Sequence, residues 1–362
     1  MQTLHLEVSR SAIGDVRQID DGDPPVPPEG SATLAVARFG LTTNNVTYAA
    51  MGDAMHYWDF FAATDPAWGV VPVWGFAEVV ESRCDTVAAG DRLYGYLPMG
   101  THAVVTPAPA GADAVTDVSD HRAHLAAAYN RYQRVEPGDD TGPRADLRML
   151  LHPLFATAWL LGDAITGRDA LAGAPDAQVV ISSASSKTAI ATAHTLASAD
   201  VTVVGLTSAA NVAFVQRLGV YDHVATYDTM DTVPVATSAF VDVAGNAGVR
   251  REVHEHLASS LVASLAVGIT HRDAPPVPGT ELPGAHPEFF FAPTHMADLA
   301  SRWGAAEVNQ RLNEAWDAFA TWAGGWVQPQ AVVGPGAVAT AWTGLAGAQG
   351  QDPATGLVCS WT

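Results

Sequence analysis

The sequence predicts an α/β chain of two domains, one a β-rich module and the other a doubly wound parallel sheet. Three observations carry this. The chain has 362 residues, too many for one ordinary core. Short strands broken by frequent turns fill its first third, as in an all-β module. From residue 178 the rhythm changes to short apolar strands alternating with helices of about ten residues, the pattern of βαβ units.

Taken in order, Pro24–Pro28 is a stiff connector, and Ser31–Phe39, 70–81, Arg92–Tyr96 and His102–Thr106 read as strands. Asp120–Tyr132 and Leu151–Ala164 read as helices. Gln178–Ser182, Val201–Gly205, His223–Thr226, Ala239–Val243 and Leu261–Ile269 are expected strands, with Glu288–Ala292 as a last one. Helices are expected at Lys187–Ala199, Asn211–Gly219 and Val249–Leu257. Residues 295–325 read as one long helix, and the tail from Gln328 returns to short strands and a helix.

The formal net charge is −20, from 38 acidic against 18 basic residues. A field of that sign repels nucleic acid and anionic membranes, so neither is expected as a partner. It also means that a phosphate-bearing ligand needs a local positive device. The first residues lack a basic stretch leading into an apolar one, and the expectation is a cytoplasmic protein. Two cysteines, Cys84 and Cys359, cannot build a four-thiolate zinc site. Lys187 is the only lysine in the chain.

Several segments, in this order, carry a resemblance. They are Thr43–Tyr48, Ala89–Gly95, Gly100–Val105, Ala156–Trp159 and Val241–Gly245. Together they resemble the Asn-Pro-x-Asp, Gly-Asp-Arg-Val, Gly-Gly-Tyr-Ala-Glu, Leu-Thr-Ala-Tyr and Asp-x-x-Gly segments of the quinone-reductase-like, zinc-free branch of the medium-chain dehydrogenase/reductases. Trp74–Glu78, Ser182–Thr188 and Gly205–Ser208 are more closely similar to an offshoot of that superfamily known as a domain of unknown function. The resemblance implies a GroES-like β-rich domain, residues 1–148 with 295–362, and a Rossmann-like dinucleotide-binding domain, residues 149–294. It also implies a homodimer, since relatives often pair through the doubly wound sheet. The Gly-His-Glu segment and cysteine ligand of the zinc branch are missing, so no metal is expected.

The glycine-rich phosphate turn of the superfamily is missing too. After Val179–Ile181 stands Ser182-Ser-Ala-Ser-Ser-Lys-Thr188. Serine hydroxyls can donate to phosphate, Lys187 brings the charge an acidic chain needs, and a helix N-terminus favours an anion. Ser185, Ser186, Lys187 and Thr188 are thus candidate cofactor ligands. The plainer reading makes the segment a polar turn with a serine N-cap and a solvated lysine. No carboxylate follows the second strand at Gly205-Leu-Thr-Ser-Ala-Ala-Asn211, which favours NADPH over NADH. A 2′-phosphate would then rest on Thr207, Ser208 and Asn211. Gly205, Gly245, Thr270 and Phe291 complete the candidate cofactor set.

Hydride transfer without zinc needs a group that polarises oxygen or gives a proton. Residues 44–59 are rich in such groups, and in the family the start of this segment lines a cleft. Tyr48 is the first candidate donor, with Asn44, His56 and Tyr57 behind it. Tyr57 otherwise reads as a packing aromatic and His56 as a turn cap. His271, after a parallel strand, is a further candidate. The leading expectation is an NADPH-dependent reductase of a small carbonyl or enone substrate. A non-redox lyase, hydrolase or isomerase acting on an acyl or β-dicarbonyl substrate is the alternative that the lost glycines suggest, and a binding or scaffold protein is the third.

Overall fold

In the computed structural model, residues 3–267, 282–347 and 351–362 are described. The chain divides into two compact units. Met1–Pro153 with Ala323–Thr362 forms the first, and Leu154–Trp322 the second.

The first unit opens with β1 (Thr3–Ser9), β2 (Val16–Gly22), β3 (Ala32–Leu41), helix α1 (Thr43–Ala50), β4 (Trp68–Gly69) and β5 (Pro72–Ser82). β6 (Arg92–Pro98), β7 (His102–Val105), β8 (Pro107–Pro109), β9 (Ala114–Asp117) and β10 (Arg131–Val135) follow, and then α2 (Gly142–Thr166), inside which the division falls. The second unit holds β11 (Gln178–Ile181), α3 (Lys187–Leu196), β12 (Thr202–Thr207), α4 (Val212–Leu218), β13 (His223–Thr226) and β14 (Ser238–Asp242). It continues through α5 (Ala247–Leu257), β15 (Leu261–Ala266), β16 (Pro287–Phe289), α6 (Ala292–Trp303) and α7 (Ala305–Ala323). The chain returns to the first unit with β17 (Gln328–Val333), α8 (Pro335–Ala346) and β18 (Thr355–Ser360).

In the first unit, β18 pairs antiparallel with β3, so the tail completes the long sheet β17-β18-β3-β5-β6-β10-β9-β8. Alternating apolar residues of these strands, among them Leu34, Val36, Val73, Val79 and Leu93, meet Trp342 of α8 in one buried core. Gly95 is fixed by packing, because a Cβ there would stand 2.3 Å from the Tyr132 ring. That ring is fully buried, and its hydroxyl donates to the Tyr96 carbonyl at 2.7 Å.

In the second unit the parallel sheet runs β13-β12-β11-β14-β15-β16. Counted from β11, this is the doubly wound order 3-2-1-4-5-6. β11 and β14 are buried at every position, as strands covered by helices on both faces must be.

Some expected elements differ. Asp120–Tyr132 is not a helix: it forms two tight helical turns, Asp120–Arg122 and Ala127–Tyr129, leading into β10. The reason is tertiary, since β10 pairs with both β6 and β9. The long helix expected at 295–325 is broken at Gly304, whose φ of +86° leaves the right-handed helix region. Both pieces, but for the last residue Ala323, fall within the second unit, where Leu299 and Val308 pack on Leu160 of α2 and Phe319 stacks on Phe155. The expected boundary at residue 294 therefore differs from the contact division. β1 and β2 lie outside the strands that the sequence predicts. α2 is long and apolar enough to cross a membrane by length and composition, but Leu151, Phe155, Ala158, Leu161 and Ile165 are buried in the protein. Both cysteines are free thiols.

Glu7 of β1 has no exposed surface. It accepts hydrogen bonds from Arg17 at 2.6 and 2.9 Å, from the Thr64 hydroxyl at 3.1 Å and from the Thr64 N–H. Burial pushes its pKa up, but the bonds from Thr64, Arg17 and His5 outweigh this and hold the carboxyl below its ordinary 4.5. The stability this contributes is complete above the unfolded-state pKa and is lost as pH falls through the lowered folded value. In melting curves between neutral pH and pH 3, Glu7→Gln is expected to lose part of the acid destabilisation seen in the parent. Identical pH profiles would show that Glu7 carries none of it.

Candidate functional site

On the first unit the site begins at the cap of α1. The Thr42 hydroxyl accepts from Asn44 N–H at 3.3 Å, and Asn45 Oδ1 accepts from Thr42 N–H at 2.9 Å. Asn45 is buried and donates to the Pro72 carbonyl at 3.0 Å, so its role is to fix the helix against β5. Asn44 and Tyr48, four residues apart, share a helix face, which places the Asn44 side chain beside the Tyr48 hydroxyl.

Tyr48 is 5% exposed and sits in an aromatic cluster. Its ring centroid lies 4.7 Å from that of Tyr57, 5.5 Å from Tyr96 and 6.3 Å from Tyr129. Trp74 Nε1 donates to its hydroxyl at 3.1 Å. The Tyr57 and Tyr129 hydroxyls share a hydrogen bond of 3.2 Å. The buried Tyr96 hydroxyl has no protein partner among the described residues. Burial, reinforced by the neighbouring phenols, raises the pKa of Tyr48; the hydrogen bond from Trp74 and the polar Asn44 side chain oppose it without cancelling it. Tyr48 thus keeps its proton at neutral pH and can donate it in a hydrogen bond.

His56 and Tyr57 part company. Tyr57 belongs to the cluster, whereas His56 is exposed, has φ +58°, and contacts Asp59 and His124. Burial raises the Asp59 pKa, but hydrogen bonds from His124 and His56 outweigh it and hold the carboxyl below its ordinary value. Trp74, Tyr96 and Tyr129 escaped the sequence reading. Trp74 and Tyr96 are cross-strand partners of β5 and β6, a register that a linear sequence does not print. Asn130, Arg131 and Tyr132, expected on a helix, lie at the start of β10, and Tyr132 is core.

The cluster rests on a buried ion pair. Arg122 and Asp117, 1% and 0% exposed in their side chains, stand 3.0 Å apart from Nε to Oδ2, out of line for a hydrogen bond. The same guanidinium lies 5.4 Å over Phe60 and 5.0 Å over Phe61. Asp117 Oδ1 accepts from Thr106 N–H, Ser119 N–H and the Ser119 hydroxyl.

On the second unit, Ser182–Thr188 follows β11 and opens α3, at the point where the strand order reverses between β11 and β14. Ligands of such sheets bind beyond the carboxyl ends of these strands. Ser186 is the N-cap, accepting from Ala189 N–H at 3.3 Å. Ser182 is buried and donates to Asp242 Oδ1 at 3.0 Å. Gly245, at φ +63°, also donates to that oxygen, at 2.9 Å, and Arg250 donates to the other at 2.8 Å. Ser183 adopts φ +54°, a left-handed conformation that glycine takes at less cost. Its N–H donates to the Tyr227 hydroxyl at 3.0 Å, and Ala184 N–H to the Leu206 carbonyl at 2.9 Å.

Ser185, Lys187 and Thr188 are half-buried at the start of α3. The Ser185 hydroxyl accepts from Asn211 Nδ2 at 3.0 Å, which joins two of the expected ligands. Gly205 has a packing role: a Cβ would meet the Tyr221 ring at 2.8 Å and Ala184 Cβ at 2.9 Å. Thr207 is buried and Ser208 exposed at the end of β12. Phe291 precedes α6 and stacks with Phe289, centroids 6.4 Å apart. Thr270 and His271 lie outside the described residues.

A β-rich unit joined to a parallel sheet of this order is the fold of the medium-chain dehydrogenase/reductases. The CurK enoyl reductase superposes with a TM-score of 0.60 at 15% identity, covering 100% of each chain. CurA from Vibrio vulnificus, in complex with NADPH, superposes with a TM-score of 0.60 at 12% identity, covering 99% of each chain. The Etr1p complex with NADP and crotonyl-CoA gives 0.58 at 9% identity, covering 100% of each chain. Within that fold, the chain belongs to the family described as protein of unknown function (DUF2855), whose model matches residues 39–350. No curated protein sequence matches it.

Asp117→Ala is expected to destabilise the protein by about 3–5 kcal/mol, because it strands Arg122 in the interior. Pairing it with Arg122→Met should recover part of that loss. Urea denaturation followed by tryptophan fluorescence measures both, and a single variant within about 0.5 kcal/mol of the parent would remove the pair from this role.

Proposed function

We propose that this protein is an NADPH-dependent reductase of a carbonyl or α,β-unsaturated carbonyl substrate. The observation that carries the reading is the turn at the reversal of strand order, where the N-terminus of α3 and the chain's single lysine coincide. The end of β12, Leu206-Thr-Ser208, offers hydroxyls and no carboxylate. That suits a 2′-phosphate better than a free ribose diol. NADPH in the CurA complex, and NADP with crotonyl-CoA in the Etr1p complex, support the same cofactor and an activated alkene as substrate.

In this reading, Lys187 and the first turn of α3 bind phosphate, Ser185 and Asn211 act together, and Thr207 and Ser208 receive the 2′-phosphate. The nicotinamide, when bound, supplies the hydride. Tyr48, held at its oxygen by Trp74, donates a hydrogen bond to the substrate oxygen where negative charge develops. Asn44 orients the phenol. The chemistry asks for no metal ligand near Tyr48. The edge strand β16, with Phe289 60% exposed, is the surface through which a homodimer would form.

One observation favours the non-redox alternative. Ser183 and Ala184 spend their N–H groups on Tyr227 and Leu206, donors that a glycine-rich turn can offer to a pyrophosphate.

Titration with NADPH and NADH, followed by nicotinamide fluorescence, separates the two. Saturable binding tighter for NADPH is expected, and no binding by folded protein would move the reading to the non-redox class. Lys187→Ala should weaken NADPH binding by about 1–3 kcal/mol, and unchanged affinity would take Lys187 out of the site. Tyr48→Phe should lower kcat on an enone at unaltered NADPH affinity, whereas full turnover would eliminate the phenol as donor.

A further inference from the structure

We propose that His56, Asp59 and His124 form a binding site for a divalent cation of the zinc type. This goes beyond the reductase reading and departs from the expectation of a metal-free chain. It does not use the sequence segments that bind zinc in the superfamily's metal-dependent branch, which are absent here.

The geometry is that of a ligand set. Asp59 Oδ2 stands 3.1 Å from His56 Nδ1 and 3.3 Å from His124 Nε2, and all three ligand atoms lie within 4.8 Å of one another. Zinc binds imidazole nitrogen and carboxylate oxygen at about 2.0–2.2 Å, so tetrahedral ligand atoms stand about 3.3 Å apart. Two of the three edges already have that length. Two imidazoles and one carboxylate are a donor set that zinc accepts, with a fourth position left for water.

Further observations point the same way. His124 lies 65 residues beyond Asp59 in sequence, so the convergence is a product of the fold rather than of local spacing. The His56 backbone is held at φ 58°, ψ 27°, a left-handed conformation that a non-glycine residue adopts at a cost; such strain gathers at functional positions. The two rings meet edge-on, at 87° with centroids 5.8 Å apart, so neither ring covers the other's nitrogens by stacking. All three side chains are open to solvent, which gives the ion an entry path, and the strongly negative chain draws cations towards it.

The ion would act as a clip. Asp59 ends the turn that carries Tyr57, and His124 stands beside Leu125 in the segment leading to Tyr129. A bound cation would tie these two segments together around the phenol cluster.

The test is calorimetric titration of the chelator-treated full-length protein with Zn2+ at neutral pH. It is run beside His124→Ala, Asp59→Asn and, as a control on another exposed histidine, His286→Ala. One ion per chain is expected, with affinity lowered at least about tenfold in the first two variants and unchanged in the control. Zn2+ should also raise the melting temperature of the parent and the control but not of the other two. Metal-free melting curves verify that each variant folds. An absence of binding, or binding that His124→Ala and Asp59→Asn leave intact, would overturn the proposal and leave Asp59 as a carboxylate shared by two imidazoles.

Discussion

A guanidinium and a carboxylate, both nearly stripped of water, face each other beside the phenol cluster of the first unit. Such a pair recovers its desolvation cost only if its remaining polar atoms are used. Asp117 spends its second oxygen on the Thr106 and Ser119 groups. Arg122 lays its charge over Phe60 and Phe61 and its backbone carbonyl accepts from Asn130, but its Nε and Nη1 find no hydrogen-bond acceptor among the described residues, so the cost is recovered only in part. The pair therefore fastens the β9 end to the turns that bring Tyr129 to Tyr57. It adds a buried anchor to an irregular segment otherwise held by its turns and by the ring contacts of Tyr129.

The same pair explains why this part of the site was the least legible. Residues 120–132 contain enough alanine and leucine to read as a helix, but helix propensity is a weak preference. The buried Arg122 and the pairing of β10 on both sides decide the backbone instead. Trp74 and Tyr96 were hidden for a related reason, because their meeting depends on strand register. The centre of the parallel sheet was legible, since β11, β12 and β14 are short, mostly apolar and buried runs, each followed by a helix. The change at Gly304 depends on one backbone angle rather than on any apolar pattern.

At the second unit the position of the turn was readable, but the division of labour within it was not. Ser182 and Ser186 are occupied with structure, one under Asp242 and the other as N-cap. Ser185 is tied to Asn211, and Ser183 carries the strained angle. Four serines that look alike in sequence thus differ because the end of β14 and the start of α3 make different demands on each. Gly205, which resembles a cofactor glycine, is small because Tyr221 and Ala184 leave it no room.

The lysine at the start of α3 has a chemical corollary. Every other basic side chain is an arginine or a histidine, groups that acylating and reductive-alkylating reagents leave largely alone. Within the folded chain, the helix start at the strand reversal is therefore the one place where a side-chain amine can be carbamylated, acetylated or tagged. Apart from the chain's α-amine, a fluorophore introduced by amine chemistry has no other side chain to enter by.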